Sequence, residues 1–450
     1  MEHILPIRTA APTSRISPAR TILLGFAGVI LAGAFLLALP GASASGESAG
    51  FLTALFTATS AVCVTGLVVV DTATQWSVWG QMVILGLIQT GGLGFMTLAS
   101  LAFLLLGKRV GLKERILIRE SLNQYDVAGV VRLVKRVLIF SFLVEGLIAC
   151  VLAWRWSLDF GWRRGLWLGV FHSISAFNNA GFDLFGDFRS LTGYVGDPVV
   201  VFSITTLIVL GGIGFSVAVN VWERRERRLT VHTRLALLVT GYLLAVGILL
   251  VLLFEWSNTL SALSVPDRLL GAYFQSVTPR TAGFNTLDIA KLRHSTQFLL
   301  TVLMFIGASP GSTGGGIKTT TFGLLAAAVW SQSRGREDTE VLGRRIPNEQ
   351  VNKALAVTLM SGCLVTVVTL LLTLTDSADF LTLLFETVSA FGTVGLSMGV
   401  TPTLTSLGRI LIIVTMFAGR VGPLTAMIAL AQSTPPKNLI RRVEDRVLIG

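Results

Sequence analysis

Apolar segments of two lengths alternate along the chain and divide it into four similar blocks. The long segments lie near 21–40 and 79–106, 134–154 and 198–221, 233–255 and 295–330, and 352–374 and 406–431. Runs of about 20 apolar residues match the thickness of a bilayer, so each block predicts two membrane-spanning helices. Short apolar segments lie between the two long ones of each block, at 51–61, 166–177, 268–278 and 380–391. Because they are too short to cross a bilayer as helices, they predict re-entrant helices.

One short pattern occurs once in each block: an aromatic residue, followed ten positions later by a glycine in a stretch of small residues. The four copies are Phe56 to Gly66, Phe171 to Gly181, Tyr273 to Gly283 and Phe385 to Gly395. A single copy is explained equally well by a helix break. Four copies in register indicate an internal repeat, in which four glycine-hinged hairpins surround one axis.

A second glycine-rich element near the end of each block supports the repeat. It reads Gly91-Gly92-Leu93-Gly94-Phe95, Gly211-Gly212-Ile213-Gly214-Phe215, Gly314-Gly315-Gly316 and Gly419-Arg420-Val421-Gly422-Pro423 in blocks one to four. Small residues also let helices approach closely in lipid, so packing alone is the alternative explanation. The predicted units are 21–107, 130–222, 233–330 and 350–432, between an arm 1–20 and a tail 433–450.

The composition excludes an ordinary soluble protein. Of the 450 residues, 52% are hydrophobic and 14% charged, and the mean hydropathy is +0.73. A soluble domain of this size needs more charge to cover its surface. The net charge of +11 is concentrated, since 25 of the 36 Lys and Arg residues lie in 1–20, 108–136, 223–234, 334–353 and 433–450. This pattern favours a membrane over nucleic acid, and the positive-inside rule predicts that these segments and both termini are cytoplasmic.

Each repeated glycine ends a strip whose backbone suits an ion filter. Backbone carbonyls replace the water around a cation where the chain is extended and turns at glycine. The C-terminal end of each short helix would add negative potential near the axis. The predicted filter residues are Val62, Cys63, Val64, Thr65, Gly66, Asn178, Asn179, Ala180, Gly181, Arg280, Thr281, Ala282, Gly283, Gly392, Thr393, Val394 and Gly395.

The second long segment of block three is interrupted between Gly307 and Lys318, where glycines disfavour helix and Pro310 lacks a backbone donor. Non-helical backbone at membrane depth is shielded by protein or lines water, so the sequence predicts a gating loop under the filter. A static kink is the alternative. Arg420 interrupts the last apolar stretch, and a buried cation needs a partner or a water-filled cavity. The predicted gate residues are Gly311, Ser312, Thr313, Gly314, Gly315, Gly316, Lys318 and Arg420.

Other charged residues in apolar surroundings are interpreted as structural. Arg280 would repel ions if it entered a cation pore, so we expect it behind the filter, with Glu386 as its partner. Glu145 is expected to be a buried, hydrogen-bonded acid and His172 a packing residue. The arginine cluster 223–228 suits anionic lipid headgroups or a cytosolic protein, and a solvated loop explains it equally well.

Three stretches resemble the Trk/Ktr/HKT superfamily of potassium transporters: Ala58–Leu67, Ser276–Asn285 and Phe385–Gly395. The resemblance covers nearly the whole chain. Because one helix precedes the first re-entrant loop, it is closer to the Ktr-type membrane subunit than to the longer Trk-type subunit. The implied fold is an all-α membrane protein with four pseudo-repeated helix–pore loop–helix units around a central ion pore.

The resemblance also implies a function. In the superfamily, glycine at all four filter positions goes with potassium selectivity, and this chain has all four. Cys63 departs from the usual Ser or Thr and places a thiol beside the pore, where it is expected to be open to modification. The loop 307–318 would be the gate, and Arg420 would contact it and impede conduction. The subunit would form a homodimer on a cytosolic ring that binds ATP or ADP. Potassium is the expected cargo and sodium a candidate activator.

Three alternatives remain open from the sequence. One is a Trk-type or sodium-permeable relative, and another is a membrane-embedded enzyme, for which no HExxH or GxSxG motif is present. The third is nucleotide binding by the segment from Gly311 to Thr319. Its Walker-like spacing is wrong by one residue, so no nucleotide is expected on this chain.

Overall fold

A computed structural model describes residues 18–94, 130–222 and 229–422, and helices dominate it. The α-helices, in chain order, are α1 (Pro18–Ala38), α2 (Phe51–Val62), α3 (Thr72–Gln75), α4 (Val78–Leu93), α5 (Val130–Phe160), α6 (Trp162–Phe177), α7 (Pro198–Gly212), α8 (Phe215–Trp222), α9 (Val231–Glu255), α10 (Val265–Val277), α11 (His294–Phe305), α12 (Thr319–Ser333), α13 (Asn348–Thr375), α14 (Phe380–Gly392) and α15 (Ser406–Val421). Strands β1 (Glu340–Val341) and β2 (Arg344–Arg345) form a short antiparallel hairpin. The basic segment 223–228, most of the arm 1–20 and the tail 433–450 lie outside the described residues.

Each block opens with a long apolar helix. Among the described residues, four helices are individually long and apolar enough to cross a membrane, and these are α1, α5, α9 and α13. Large apolar side chains stay exposed along them, including Phe35, Leu249 and Leu374. A continuous exposed apolar surface of this kind fits contact with lipid rather than with water.

A shorter helix follows in each block and ends where a predicted filter strip begins. These helices are α2, α6, α10 and α14, and their bounds agree with the four predicted short segments to within four residues. The longest has 16 residues, which at 1.5 Å per residue gives about 24 Å, less than the ~30 Å of a hydrocarbon core. They therefore enter the protein without crossing it.

The aromatic anchor of block three is one residue later than predicted. Phe56, Phe171 and Phe385 are fully buried, but in block three Phe274 is the fully buried ring and Tyr273 is only partly buried. The helix face that packs inward, rather than the spacing to the glycine, decides which ring enters the core. Block three thus has one residue fewer between its buried ring and its filter glycine.

The second helix of block two is interrupted, which the sequence did not predict. Block two bends by 101° between α7 and α8, at Ile213 and Gly214, where one helix was expected over 198–221. In blocks one and four, α4 ends at Leu93 and α15 at Val421, each followed by a glycine with positive φ. The predicted continuations to 106 and 431 lie outside the described residues.

Close approach explains why a glycine lies near the end of each of these helices. Gly91, Gly211 and Gly419 lie so near a carbonyl oxygen of the adjoining short helix that a β-carbon would overlap it. The oxygens belong to Val62, Phe177 and Phe391, each four residues before its filter glycine. In block three, Gly314 and Gly315 lie instead against the side chains of Thr281 and Thr393, each two residues before a filter glycine.

Candidate ion pore

The four repeated glycines form a closed ring. A β-carbon built on each of them would crowd the Cα atom of the next, at 3.1 Å (Gly66 to Gly181), 2.9 Å (Gly181 to Gly283), 3.3 Å (Gly283 to Gly395) and 3.0 Å (Gly395 to Gly66). The carbonyl oxygen before each glycine faces the preceding glycine of the ring; these oxygens belong to Ala180, Ala282, Val394 and Thr65. Glycines and carbonyls therefore alternate around one axis, and none of the four glycines faces lipid.

All four strips have positive φ at the same two positions. The ring glycines have φ between 71° and 94°, and the residue two positions before each is also left-handed. Those residues are Val64 (52°), Asn179 (57°), Thr281 (70°) and Thr393 (49°). A left-handed β-branched residue costs about 1–3 kcal/mol and persists only where its surroundings over-determine it, which is typical of functional sites. Three of the four residues are β-branched.

A hydroxyl near the end of each short helix holds its strip. Ser60 and Ser389 accept hydrogen bonds from the N–H groups of Gly66 and Gly395, at 3.0 and 3.1 Å. In block two Ser175 donates to the carbonyl of Phe182 at 2.8 Å, and in block three Thr278 donates to that of Phe284. Sequence reasoning did not assign these hydroxyls a role. A hydroxyl five or six positions before each glycine was the signal that would have found them.

The prediction that Arg280 pairs with Glu386 is wrong. Arg280 Nη2 donates instead to Thr240 Oγ1 at 3.3 Å. The Glu386 carboxylate instead accepts hydrogen bonds from Ser397, at 2.8 Å, and from Thr401. These hydroxyls follow the fourth strip, so the buried Glu386 carboxylate finds its hydrogen-bond donors within its own block.

The prediction that the Cys63 thiol is open to modification is wrong, because the Cys63 side chain is fully buried. Its side chain lies within the core, and only its backbone belongs to the strip. Two structural predictions agree with the geometry. His172 is buried and its Nε2 accepts from the Leu184 N–H at 3.3 Å. Glu145 is buried and hydrogen-bonded.

The loop between α11 and α12 packs directly against the filter strips. A β-carbon on Gly314 would lie 3.1 Å from Thr281 Cβ, and one on Gly315 would lie 2.9 Å from Thr393 Cγ2. The Gly315 N–H donates to Thr393 Oγ1 at 3.1 Å. The loop therefore touches the left-handed residues of strips three and four.

Block two holds the other side of this loop. Ser309 and Thr313 donate their N–H groups to the carbonyls of Gly212 and Gly211, at 3.0 and 3.2 Å. Thr313 Oγ1 donates to the Phe177 carbonyl at 3.3 Å. Since Phe177 ends α6, the loop contacts three of the four blocks at the inner end of their strips.

Two basic side chains, those of Arg420 and Lys318, donate hydrogen bonds to carbonyl oxygens of the loop. Arg420 donates from Nη1 to the Thr313 carbonyl and from Nη2 to those of Gly91 and Gly92. Lys318 Nζ donates to the Gly314 carbonyl at 2.7 Å. Arg420 thereby joins block four, the loop of block three and the end of α4 in block one. The predicted gate residues Thr313–Gly315, Lys318 and Arg420 are thus brought together.

Comparison with known proteins places the chain in a family. The family model described as TrkH, a cation transport protein, matches residues 27–442. The chain belongs to this family. The apolar helices and the family together identify a multi-pass membrane protein, and the predicted all-α fold is confirmed.

Full-length relatives support the assignment. The chain is 48% identical to the Ktr system potassium uptake protein B of Bacillus subtilis over 97% of both chains. It is 40% identical to the potassium/sodium uptake protein NtpJ of Enterococcus hirae, over 97% of this chain and 98% of that one. The crystal structure of the potassium transporter TrkH from Vibrio parahaemolyticus has the same fold, with a TM-score of 0.72 and 20% identity over 95% of this chain and 87% of that one.

Proposed function

We propose that this chain is the pore-forming subunit of a potassium uptake system, with the strips ending at Gly66, Gly181, Gly283 and Gly395 as its filter. The observation that carries this proposal is the closed ring of four glycines and four carbonyl oxygens. Carbonyl oxygens in such a ring replace the hydration shell of a monovalent cation. Passage needs no covalent chemistry, and the membrane potential drives uptake. The relatives at 48% and 40% identity are named uptake proteins, which favours a transporter over an enzyme.

The loop 307–318 is the proposed gate. It contacts the inner ends of three blocks, and Thr313, Gly314 and Gly315 are buried there. In this arrangement the loop obstructs the route below the ring, and Arg420 holds it in place by charge-assisted hydrogen bonds. Opening requires those bonds to break and the loop to move.

The orientation and partners belong to the same proposal. The basic segments support a cell-membrane protein with both termini in the cytoplasm, and in that orientation the re-entrant helices enter from outside. A homodimer on a cytosolic ATP- or ADP-binding ring would supply nucleotide control, with sodium as an activator. The relative named as part of a Ktr system supports a multi-component assembly.

Ion flux into liposomes tests the proposal. Purified full-length chain is reconstituted, and potassium and sodium uptake are compared under an imposed inside-negative potential. We expect potassium flux well above that of empty liposomes and above sodium flux. Equal flux of both ions would support the second candidate, a potassium- and sodium-permeable transporter, which the name of the Enterococcus hirae relative favours. Absence of any cation flux would overturn both.

A further inference from the structure

Glu145 is a buried acid that the proposed pore does not use. It lies in the membrane-spanning helix α5 and is 3% exposed. Both carboxylate oxygens are 3.2 Å from Gln89 Nε2, which belongs to α4. An acid inside a membrane is expensive and is retained where it has a function.

The carboxylate reaches the second filter strip through Asn178. Asn178 directly follows α6, three residues before Gly181, and its Nδ2 donates to Glu145 Oε1 at 3.2 Å. The same Nδ2 donates to Gln89 Oε1 at 2.8 Å. The backbone is joined as well, because Ser173 Oγ on α6 donates to the Glu145 carbonyl at 2.7 Å. Glu145 is therefore tied to both the helix and the strip of block two.

Asn178 in turn packs against the residue that anchors Arg420. A β-carbon on Gly92 would lie 2.6 Å from Asn178 Cγ, so the amide lies against the Gly92 backbone. The carbonyl of Gly92 accepts from Arg420 Nη2 at 3.3 Å. Arg420 also binds the Thr313 carbonyl in the loop. A continuous set of contacts thus leads from Glu145 through Asn178 and Gly92 to Arg420.

We propose that Glu145 is a positioning residue that couples the second filter strip to the Arg420 contact with the gate loop. Its two oxygens accept from the Asn178 and Gln89 amides together, which fixes the Asn178 side chain against Gly92 and keeps the acceptors of Arg420 in place. Without Glu145, the Gln89 amide loses the carboxylate and the Asn178 amide keeps only the Gln89 and Ile174 oxygens, so the Asn178 side chain is held less firmly against Gly92. This inference rests on the proposed function.

Liposome flux with three variants of the full chain tests it. Glu145→Leu keeps an apolar side chain of similar length but removes the acceptors, and we expect basal potassium flux without any partner to rise about tenfold, as for a lost buried hydrogen bond. The potassium-to-sodium flux ratio falls with it. Glu145→Gln retains one acceptor oxygen and stays within about twofold of the unaltered chain. Ser141→Ala is the matched control, because Ser141 is buried one turn earlier on the same helix and its hydroxyl has no hydrogen-bond partner among the described residues, and it leaves both readouts unchanged.

A double variant separates coupling from general damage. If Glu145 acts through Arg420, then Glu145→Leu adds no further basal flux to Arg420→Ala. If the basal flux of the double variant equals the product of the two single-variant increases, the coupling is overturned. A Glu145→Leu protein with the flux of the unaltered chain would overturn it as well. If Glu145→Leu fails to assemble in detergent, Gln89→Leu is used in its place, because it removes the neighbouring amide. The same basal fluxes are then measured, alone and combined with Arg420→Ala. An unaltered chain without potassium flux would reject the proposed function, whereas a conducting one with an inert Glu145→Leu rejects only this inference.

Discussion

The glycine ring and the loop beneath it touch each other, yet they are built differently. At the ring every block contributes the same part: a left-handed residue, a carbonyl and a glycine. At the loop every block contributes something else. Block three supplies the loop, block two its backbone acceptors, block four Arg420 and block one the carbonyls of Gly91 and Gly92.

The difference follows from the two tasks. An ion stripped of water needs oxygens on all sides, so a filter works only if the blocks contribute nearly equally. A gate needs one element that moves, and the neighbouring blocks only have to hold that element in the closed position. The four blocks therefore contribute equivalent residues at the ring and different residues at the loop.

The ring is most sensitive at its glycines. Gly181→Ala places a methyl group 2.9 Å from Gly283 Cα in a residue with φ of 71°. Strain of about 1–3 kcal/mol, added to a backbone clash, is expected to lower potassium flux in liposomes by about 100-fold. Gly193→Ala is the control, because nothing lies within 4 Å of its β-position. Unimpaired, potassium-selective flux through Gly181→Ala would show that the ring is not the filter.

The gate should respond to Arg420→Ala with a gain of flux. Hydrogen bonds from a charged donor to the Thr313 and Gly91 carbonyls are lost, each worth about 1.5–3 kcal/mol, so basal flux rises by about 10- to 100-fold. Arg409→Ala is matched, since Arg409 lies on the same helix and donates to the carbonyls of Leu404 and Pro402, away from the loop. Equal flux in the two variants at equal protein density would contradict the role of Arg420.

A smaller gain is expected from Thr313→Val. This substitution keeps the shape of the side chain but removes the hydrogen bond to the Phe177 carbonyl, worth about 1 kcal/mol, so basal flux rises about fivefold. Thr366→Val, on the exposed face of α13, removes a hydrogen bond of the same type within one helix and serves as the control. If Thr313→Val reduces flux instead, its hydroxyl belongs to the conducting state.

The smallest effect concerns Cys63. Because its thiol is fully buried, a water-soluble thiol reagent should leave potassium flux unchanged in a chain whose exposed Cys150 and Cys363 are replaced by serine. Ser312→Cys in the same background is the positive control, since Ser312 is partly exposed in the loop. Rapid inhibition without the introduced cysteine would place the Cys63 side chain in the pore.

Much of the ring could be read from the sequence because its signal is local. The spacing from Phe56 to Gly66 and its three counterparts lies within single hairpins, where glycine and chain length limit the backbone. The partners of Arg280 and Glu386 were predicted wrongly. Both residues form hydrogen bonds with hydroxyls that no sequence spacing indicates, and these are Thr240, Ser397 and Thr401.

The four blocks, the four glycines and the break in block three could all be predicted from the sequence. Each of these follows from hydropathy and from the conformational limits of glycine and proline along one short segment. The closure of the ring, the 101° bend between α7 and α8 and the contact of Arg420 with Gly91 became evident only in the folded molecule. Those features depend on how closely backbones from distant blocks approach one another, and that distance is set by the packing of the whole molecule.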